Sequence, residues 1–217
     1  MPKRKNFEIY NESTGLFCDY GEYQRFTQLY SAAIKQLTTR FDILSCECET
    51  YDAHNPIHHI DSRLKSIPSI VEKLSKRGYD ISAKSAIEHL NDIAGLRVVC
   101  SYIDDVYRVA DMLLRQSDVV LIERKDYIQN PNYNGYRSLH LDVEIPVFFS
   151  NSTEYVTAEI QLRTVAMDFW ASLEHDLRYK SEKNIPGELC KEMLACADEI
   201  AVIDAKMQEI YKKIHAL

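Results

Sequence analysis

The sequence lacks the glycine-rich loops that many nucleotide-binding proteins use. Only six of its 217 residues are glycine, and neither G-x-x-x-x-G-K-[ST] nor G-x-G-x-x-G occurs. These patterns place backbone N–H groups around phosphates in P-loop enzymes and in dinucleotide-binding folds. Both classes are therefore excluded.

Long apolar runs are also missing. No stretch approaches the roughly 18 apolar residues of a membrane-spanning helix. The basic N-terminal segment MPKRKNFEIYNESTG has no apolar core of the kind found in a signal peptide. We therefore expect no membrane association and a cytoplasmic protein.

The six cysteines form neither a C-x-x-C pair nor a set with matched histidines. Cys46 and Cys48 lie near His54, His58 and His59, so a metal bound at these cysteines is one interpretation. Their spacing matches no standard zinc site. Free thiols, as in most cytosolic proteins, are the favoured interpretation.

The net charge of −7, from 26 basic and 33 acidic residues, argues against broad binding to nucleic acid, which depends on phosphate neutralisation. RNA binding therefore has no support from the overall charge. Basic residues are nevertheless bunched in two segments, which allows a local basic pocket. They are Arg63, Lys65, Lys73, Lys76 and Arg77 in the first segment, and Arg124, Lys125 and Arg137 in the second.

The apolar pattern changes period along the chain. Helical spacing predicts helices over residues 22–45, 66–78, 82–91, 104–116, 164–180 and 187–217, with an irregular segment over 46–61. Buried or alternating apolar residues predict strands over residues 96–102, 119–125, 138–146 and 155–163. The short link between the last two strands favours an antiparallel pair. The fold class is α+β, with a mixed β-sheet flanked by helices.

Two groups of hydrophobic residues in the helical C-terminal part call for packing partners. Phe169, Trp170 and Leu173 have core spacing, and we interpret them as packing residues. The last helix has a heptad seam that needs a partner helix, either the N-terminal helix of the same chain or a helix of another subunit. The seam consists of Met193, Cys196, Ile200, Ile203, Met207, Ile210, Ile214 and Leu217.

The polar faces of the predicted strands carry candidate catalytic groups. Asp92 lies directly before a strand. Glu159 lies in the middle of another, with Gln161 and Arg163 on the same side, and Asp142 lies on the polar face of the strand over 138–146. Mg²⁺ binds through one or two carboxylates plus substrate phosphates, so two carboxylates on adjacent strands suit it. Positive charge for phosphoryl oxygens would come from Arg63, Lys65, Lys73, Arg97 and Lys125. The combination indicates nucleotide phosphate chemistry, although a merely solvated sheet face is the alternative.

Three ordered segments carry a family resemblance: DIAGLRVVCSYIDD, KDYIQNPNYNGYRSLHL and EIQLRTVAMDFWASLEHDLRYK. Together they resemble the synthetase domain of the RelA/SpoT family over residues 22–210. With no hydrolase domain, the chain is similar to small alarmone synthetases. The resemblance implies one domain over 1–217, with an N-terminal helix (22–45), a nucleotidyltransferase-like core (60–180) and an oligomerisation helix (187–217) of a homotetramer.

The resemblance also implies the reaction: the pyrophosphate of ATP is transferred to the ribose 3′-OH of GDP or GTP, which gives ppGpp or pppGpp and AMP in the stringent response. Asp92 is expected to bind Mg²⁺, and Glu159 to hold the metal or to act as the base that activates the 3′-OH. The ATP-binding residues are expected to be Arg63 and Arg97, on the two faces of adenine, and Lys65 and Lys73, on the phosphates. The acceptor guanine nucleotide is expected to contact Lys125, Tyr136, His140 and Gln161, with Tyr136 stacked on the base.

Simpler interpretations exist for several of these residues. Arg63 and Lys73 are also consistent with exposed helix charges, and Tyr136 in its glycine turn with a cover for the sheet edge. His175 either touches the site or makes a structural hydrogen bond.

The chain departs from the family pattern in two places. Asn132 stands where many relatives have a lysine, so a phosphate contact on the acceptor is missing and the preference between GDP and GTP stays open. Thr38 and Asp42 stand near the positions where tetrameric relatives carry lysines that bind a regulatory pppGpp. We therefore expect weak or absent activation by pppGpp.

Two other functions remain as alternatives. A related transferase would use another 3′-OH, such as that of an adenine nucleotide or a tRNA end. A non-catalytic regulator would keep the fold and bind nucleotide or RNA, although intact Asp92, Glu159 and Tyr136 argue against it.

Overall fold

The computed structural model describes residues 8, 14–52, 54–180 and 185–216. A five-stranded sheet of order β1-β2-β5-β4-β3 lies at its centre. Strands β2 and β5 are parallel, and the other neighbours are antiparallel. No helix within the described ranges has the length and apolar character needed to span a membrane.

The helices are α1 (Tyr20–Tyr51), α2 (Ile67–Arg77), α3 (Ala83–His89), α4 (Ile103–Leu114), α5 (Val165–Lys180) and α6 (Gly187–His215). The strands are β1 (Ile57–Leu64), β2 (Ala94–Cys100), β3 (Val120–Asp126), β4 (Leu139–Phe148) and β5 (Thr153–Thr164). The α+β fold and the antiparallel pairing of β4 with β5 are thus confirmed.

Local signals set the ends of α2. Ser66 is its N-cap and accepts a hydrogen bond from the backbone N–H of Ser69, and a proline occupies the first turn. Gly78 ends the helix in the left-handed conformation, with φ of 73°. Serine caps and glycine stops are frequent at these positions because they satisfy orphan backbone groups. The predicted helix over 66–78 is confirmed.

The prediction of an irregular segment over 46–61 was wrong at both ends. Helix α1 continues to Tyr51, because Cys48 extends its buried stripe by one more turn beyond Leu44. Strand β1 begins at Ile57, the only fully buried residue of the strand. An edge strand that buries so little has almost no apolar alternation, so the pattern search missed it.

One face of the sheet is apolar and the other is polar. Helix α1 covers the apolar face with Phe26, Tyr30, Ala33, Leu37 and Phe41, which belong to the same core as the inward residues of β2, β4 and β5. Those inward residues include Leu96, Val98, Leu141, Val143, Ala158 and Ile160. The alternating side chains of these strands point to the opposite, polar face.

The C-terminal helix α6 packs on α4 and α5 through a face that includes polar groups. Ala197, Asp204 and Gln208 are buried there. Thr164 Oγ1 donates to Asp204 Oδ2 at 2.6 Å. Burial raises the pKa of Asp204, and the hydrogen bond from Thr164 opposes that effect only in part.

The heptad seam of α6 is largely a different face from the one that packs within the chain. Ile203, Met207, Ile210 and Ile214 are each about half exposed, and Leu217 lies outside the described residues. Trp170 is buried and donates from Nε1 to the Met193 carbonyl at 3.3 Å. The prediction that Phe169 and Leu173 are core residues was wrong: they are 57% and 50% exposed, because α5 buries only one side.

Candidate active site

Two adjacent rows of the sheet register carry most of the predicted site. Residues paired across neighbouring strands project to the same face. The first row runs across the sheet through Arg63, Gly95, Glu159, Asp142 and Glu123. The second row runs through Asp61, Arg97, Gln161, His140 and Lys125. Six of the ten predicted site residues therefore lie side by side on the polar face.

Asp92 lies just before β2, where two lysines hold its carboxylate. Lys65, after β1, donates to Oδ2 at 2.9 Å, and Lys73, on α2, donates to the same oxygen at 2.7 Å. Burial raises the pKa of Asp92, but the two lysines outweigh that effect and its pKa lies below the ordinary value. Asp92 is therefore an anionic carboxylate beside two cations.

The other oxygen of Asp92 makes this corner suitable for a divalent metal. In the part of the chain that the structure describes, Oδ1 is buried without a hydrogen-bond partner. Asp92 is close enough to Glu159 for its charge to raise the pKa of Glu159. No three His, Cys, Asp or Glu side chains cluster among the described residues in a way that would bind a metal without help. A site of two carboxylates completed by substrate phosphates fits Mg²⁺.

A cavity of about 240 Å³ opens next to these carboxylates. Arg63 and Arg97 both border it, and Gly95, which is paired with Arg63 across the two strands, also lines it. The remaining lining residues are Asp61, Ser62, Asp92, Leu96, Glu159 and Gln161. Two guanidinium groups at one cavity suit a planar base, since arginine stacks on aromatic faces.

Next to the cavity, four predicted residues and Arg163 form a closed ring of hydrogen bonds. Gln161 Nε2 donates to Glu159 Oε1 at 2.8 Å, and Gln161 Oε1 accepts from Arg163 Nη2 at 2.8 Å. Arg163 Nη2 also donates to the Tyr136 hydroxyl at 2.6 Å. That hydroxyl lies 2.8 Å from His140 Nε2, and His140 Nδ1 lies 3.3 Å from Glu159 Oε1.

Counting donors assigns the protons in this ring. Burial raises the pKa of Glu159, but the bonds from His140 and Gln161 outweigh burial and leave the pKa below its ordinary value. A carboxylate only accepts, so Nδ1 of His140 carries a proton. His140 Nε2 lies 2.8 Å from the Tyr136 hydroxyl. The raised pKa of Tyr136, caused mainly by burial, keeps this phenol protonated.

The glycine turn before β4 is anchored to α6. Gly135 has φ of 86°, a conformation that favours glycine. Arg137 donates from Nη1 to the carbonyls of Gly135 and Ala197, at 3.0 and 3.4 Å, and pairs through Nη2 with Asp198 at 3.0 Å. These contacts fix the turn, so Tyr136 enters the ring in one orientation.

Lys125 lies at the margin of the site. Lys125 is on the edge strand β3 opposite His140, where its Nζ donates to Glu123 at 2.7 Å. The ring of Tyr136 is half-buried, with the Arg163 guanidinium 5.0 Å from its centroid. His175 is exposed on α5. Arg63 lies on a strand, so its interpretation as an exposed helix charge was wrong.

Sequence reasoning placed Asp142 and Arg163 on the polar strand faces but gave them no role. Asp142 is 9% exposed, lies opposite Glu159, and accepts from Asn91 Nδ2 at 2.9 Å. Burial raises the pKa of Asp142 despite that bond. The alternating pattern of β4 and β5 was the available signal, but only the strand register shows which polar residues meet.

The structure does not support a metal site at Cys46 and Cys48. The two residues are two positions apart on α1, so they occupy different faces; Cys46 is exposed and Cys48 is buried. Burial raises the pKa of Cys48 to about 11. Both thiols are free, as are the other four.

These features define a class of protein. Two carboxylates and a group of cations lie on one open sheet face, without a glycine-rich phosphate loop. That arrangement is a nucleotidyltransferase-like site for the transfer of phosphoryl groups, in which positioning and charge stabilisation supply the catalysis.

Comparison with known proteins then gives the family. A model described as the region found in RelA/SpoT proteins matches residues 62–184. GTP pyrophosphokinase YwaC from Bacillus subtilis is 47% identical over 186 residues, 86% of this chain and 89% of that protein. The chain belongs to the RelA/SpoT family.

Solved structures agree with this assignment. Small alarmone synthetase 2 from Bacillus subtilis has a TM-score of 0.80 at 45% identity, covering 88% of this chain and 98% of that one. Small alarmone synthetase 1 from the same organism, bound to its product pppGpp, has a TM-score of 0.81 at 34% identity, covering 88% and 97%. A structure of small alarmone synthetase 1 bound to AMPCPP has a TM-score of 0.77 at 30% identity, covering 91% and 100%.

Proposed function

We propose that this protein is a GTP pyrophosphokinase that makes ppGpp or pppGpp from ATP and GDP or GTP. The acceptor 3′ oxygen attacks the β-phosphorus of ATP, the bond from that phosphorus to the α–β bridging oxygen breaks, and AMP leaves. One observation carries the proposal: Asp92 and Glu159 both line the cavity that Arg63 and Arg97 border, and Glu159 also belongs to the hydrogen-bonded ring with Gln161 and His140. The relatives' names, GTP pyrophosphokinase and small alarmone synthetase, agree with it.

On the donor side, the cavity residues bind and orient ATP. Arg63 and Arg97 take the two faces of adenine. Lys65 and Lys73, which already converge on Asp92 Oδ2, bind the phosphates. A Mg²⁺ held by Asp92 and Glu159 would neutralise phosphate charge when bound. The AMPCPP bound to small alarmone synthetase 1 is consistent with a donor site for an adenine nucleotide.

On the acceptor side, Glu159 accepts the proton of the 3′-OH. A positioned general base typically accelerates a reaction by about 10²–10⁴-fold. His140 and Gln161 hold Oε1 of Glu159, which leaves Oε2 for the metal or the hydroxyl. Tyr136 stacks on the guanine, and Lys125 contacts the acceptor phosphates.

Nucleotide chromatography tests the reaction and separates it from the alternatives. The protein is incubated with Mg²⁺, ATP and, in turn, GMP, GDP, GTP, ADP or tRNA. We expect AMP to appear only with guanine nucleotides, in equal amount to a 3′-pyrophosphorylated product. Turnover with ADP or tRNA instead would identify the related transferase, and binding without turnover would identify a regulator.

We also propose a cytoplasmic homo-oligomer, a tetramer, held together in part by the exposed heptad seam of α6. The seam presents Ile203, Met207, Ile210 and Ile214 on one side of the helix, and apolar seams of this kind pair with other helices. Light scattering at micromolar concentration should give a mass well above 25.2 kDa. A monomer would refute this part of the proposal.

Activation by pppGpp should be weak or absent. Thr38 and Asp42, on α1, replace the lysines that the resemblance implies for the regulatory cleft, and Asp42 would repel an anionic ligand. Initial rates with and without added pppGpp should therefore agree within about a factor of two. A rate increase of several-fold would contradict this prediction.

A further inference from the structure

The two halves of the site are joined by an ion-paired bridge through Arg163 and Asp168. Arg163, at the end of β5, is 6% exposed. Its Nη2 holds the Tyr136 hydroxyl and Gln161 Oε1, as described above, and its Nη1 donates to Asp168 Oδ1 at 3.2 Å. Arg163 therefore faces the acceptor side with one nitrogen and α5 with the other.

Asp168 continues the bridge to the donor side. It lies in the first turn of α5, and its Oδ1 is also 3.3 Å from Nη1 of Arg97. Arg97 borders the donor cavity. A single carboxylate oxygen thus contacts one guanidinium from each half of the site.

The second ion pair of Arg97, with Asp61, is weak. Its other carboxylate neighbour, Asp61, lies 3.9 Å away, and Asp61 is more than half exposed. Exposed ion pairs at that distance contribute little. Asp168 is therefore the principal group that fixes the direction of the Arg97 guanidinium.

Resting on the proposed function, we propose that Arg163 and Asp168 are positioning residues that hold the donor and acceptor subsites in one arrangement. Asp168 aims Arg97 at the donor base, and through Arg163 it fixes the Tyr136 ring and the Gln161 amide on the acceptor side. Among the described residues, Asp168 has a hydrogen bond with Arg163 but none with Tyr136 or Gln161. Loss of its charge should nevertheless weaken acceptor binding.

The test is a double-mutant cycle read by equilibrium binding. GDP and AMPCPP are titrated separately, by calorimetry, into the wild-type protein, Asp168→Asn, Arg163→Lys and the double variant. Asp168→Asn keeps the side-chain shape but removes the charge. Arg163→Lys keeps the charge but loses the planar guanidinium that contacts Tyr136, Gln161 and Asp168. Asp176→Asn, the same change at an exposed position of α5, is the matched control.

We expect Asp168→Asn to raise the Kd of AMPCPP and of GDP, each by about five- to tenfold, with Asp176→Asn within a factor of two of wild type. In the Arg163→Lys background, Asp168→Asn should change the Kd of GDP by less than twofold, because residues in one network are non-additive. Thermal melts identify any variant that does not fold. If Arg163→Lys fails to fold, the Kd of GDP in Asp168→Asn still decides the matter.

An unchanged Kd of GDP in folded Asp168→Asn, or additive effects in the cycle, would contradict the proposal that Asp168 and Arg163 couple the two subsites. The proposed function fails separately: wild-type protein that binds both ligands but makes no AMP is not a pyrophosphokinase, whatever the cycle shows. Steady-state kinetics give a second readout, since a bridge predicts raised KM values for both nucleotides. If the two residues had only a structural role, the substitutions would lower the amount of active protein and leave both KM values unchanged.

Discussion

Glu159→Gln should lower AMP release from ATP and GDP by at least about 10³-fold without unfolding the protein. The substitution keeps the shape of the side chain. It also keeps an oxygen that can accept the hydrogen bond from Gln161 Nε2, which in the wild-type protein lies 2.8 Å from Glu159 Oε1. It removes both the proposed base and one of the two carboxylates proposed to hold the metal, and loss of a general base by itself typically costs about 10²–10⁴-fold. Chromatographic quantification of AMP, under saturating Mg²⁺, measures the effect.

Glu154→Gln is the matched control for this change. Glu154 lies on the same strand, β5, but is exposed at the far end from the site. We expect that variant to keep wild-type activity. AMP release that survives undiminished in Glu159→Gln would show that the assigned mechanism is wrong.

Gly135→Ala should destabilise the protein by about 2–4 kcal/mol. Alanine at φ of 86° is strained by roughly 1 kcal/mol. Its Cβ would also lie 2.5 Å from Ala197 Cβ and 3.1 Å from Leu194 Cδ1, and overpacking of this kind typically costs about 1–3 kcal/mol. Since about 1 kcal/mol shifts the Tm of a chain this long by about 2–4 °C, we expect a fall of roughly 5–15 °C. Tyr136 follows directly, so activity should fall as well.

Gly78→Ala separates strain from the clash. Gly78 has φ of 73°, and an added Cβ there would meet nothing within 4 Å. It should therefore lower the Tm by only a few degrees and leave the activity intact. Removing the Ala197 methyl group, as Ala197→Gly in the Gly135→Ala background, should restore part of the activity. A Tm loss in Gly135→Ala no larger than in Gly78→Ala would contradict the close approach of α6 to the turn.

Strong local signals made most of the fold predictable from the sequence. Ser66, Pro68 and Gly78 specify α2 through its cap and its stop, and the alternation of β4 and β5 specifies both a buried face and a polar face. The weak case was β1, an edge strand with one fully buried residue. Its absence from the prediction matters, because β1 supplies Arg63 to the cavity beside Asp92 and Glu159.

The site was only partly predictable because it depends on register. Sequence motifs identify Glu159 and Gln161, but only the pairing of β5 with β4 places Asp142 opposite Glu159. Arg163 has no local pattern that distinguishes it from a solvated strand end. Its role depends on Tyr136, 27 positions away, and on Asp168, which belongs to the next helix.

The same limit applies to the hydrophobic helices. Core spacing in α5 was assigned to Phe169, Trp170 and Leu173 together, yet only Trp170 is buried. Periodicity shows that a helix has an apolar face. How much of that face is buried depends on where the neighbouring helices pack against it. The intrachain contact of α6 also uses Asp204 and Gln208, polar residues that a hydrophobic pattern passes over.

In the proposed reaction a pyrophosphoryl group moves intact from ATP to a guanine nucleotide. The most direct test uses two preparations of ATP, one labelled in the β-phosphate and one in the γ-phosphate, each incubated with the protein, GDP and Mg²⁺. Both labels should be recovered in ppGpp, with unlabelled AMP in equal amount. Transfer of the γ-label alone, with ADP as the second product, would show that the protein transfers a single phosphoryl group and is not a pyrophosphokinase.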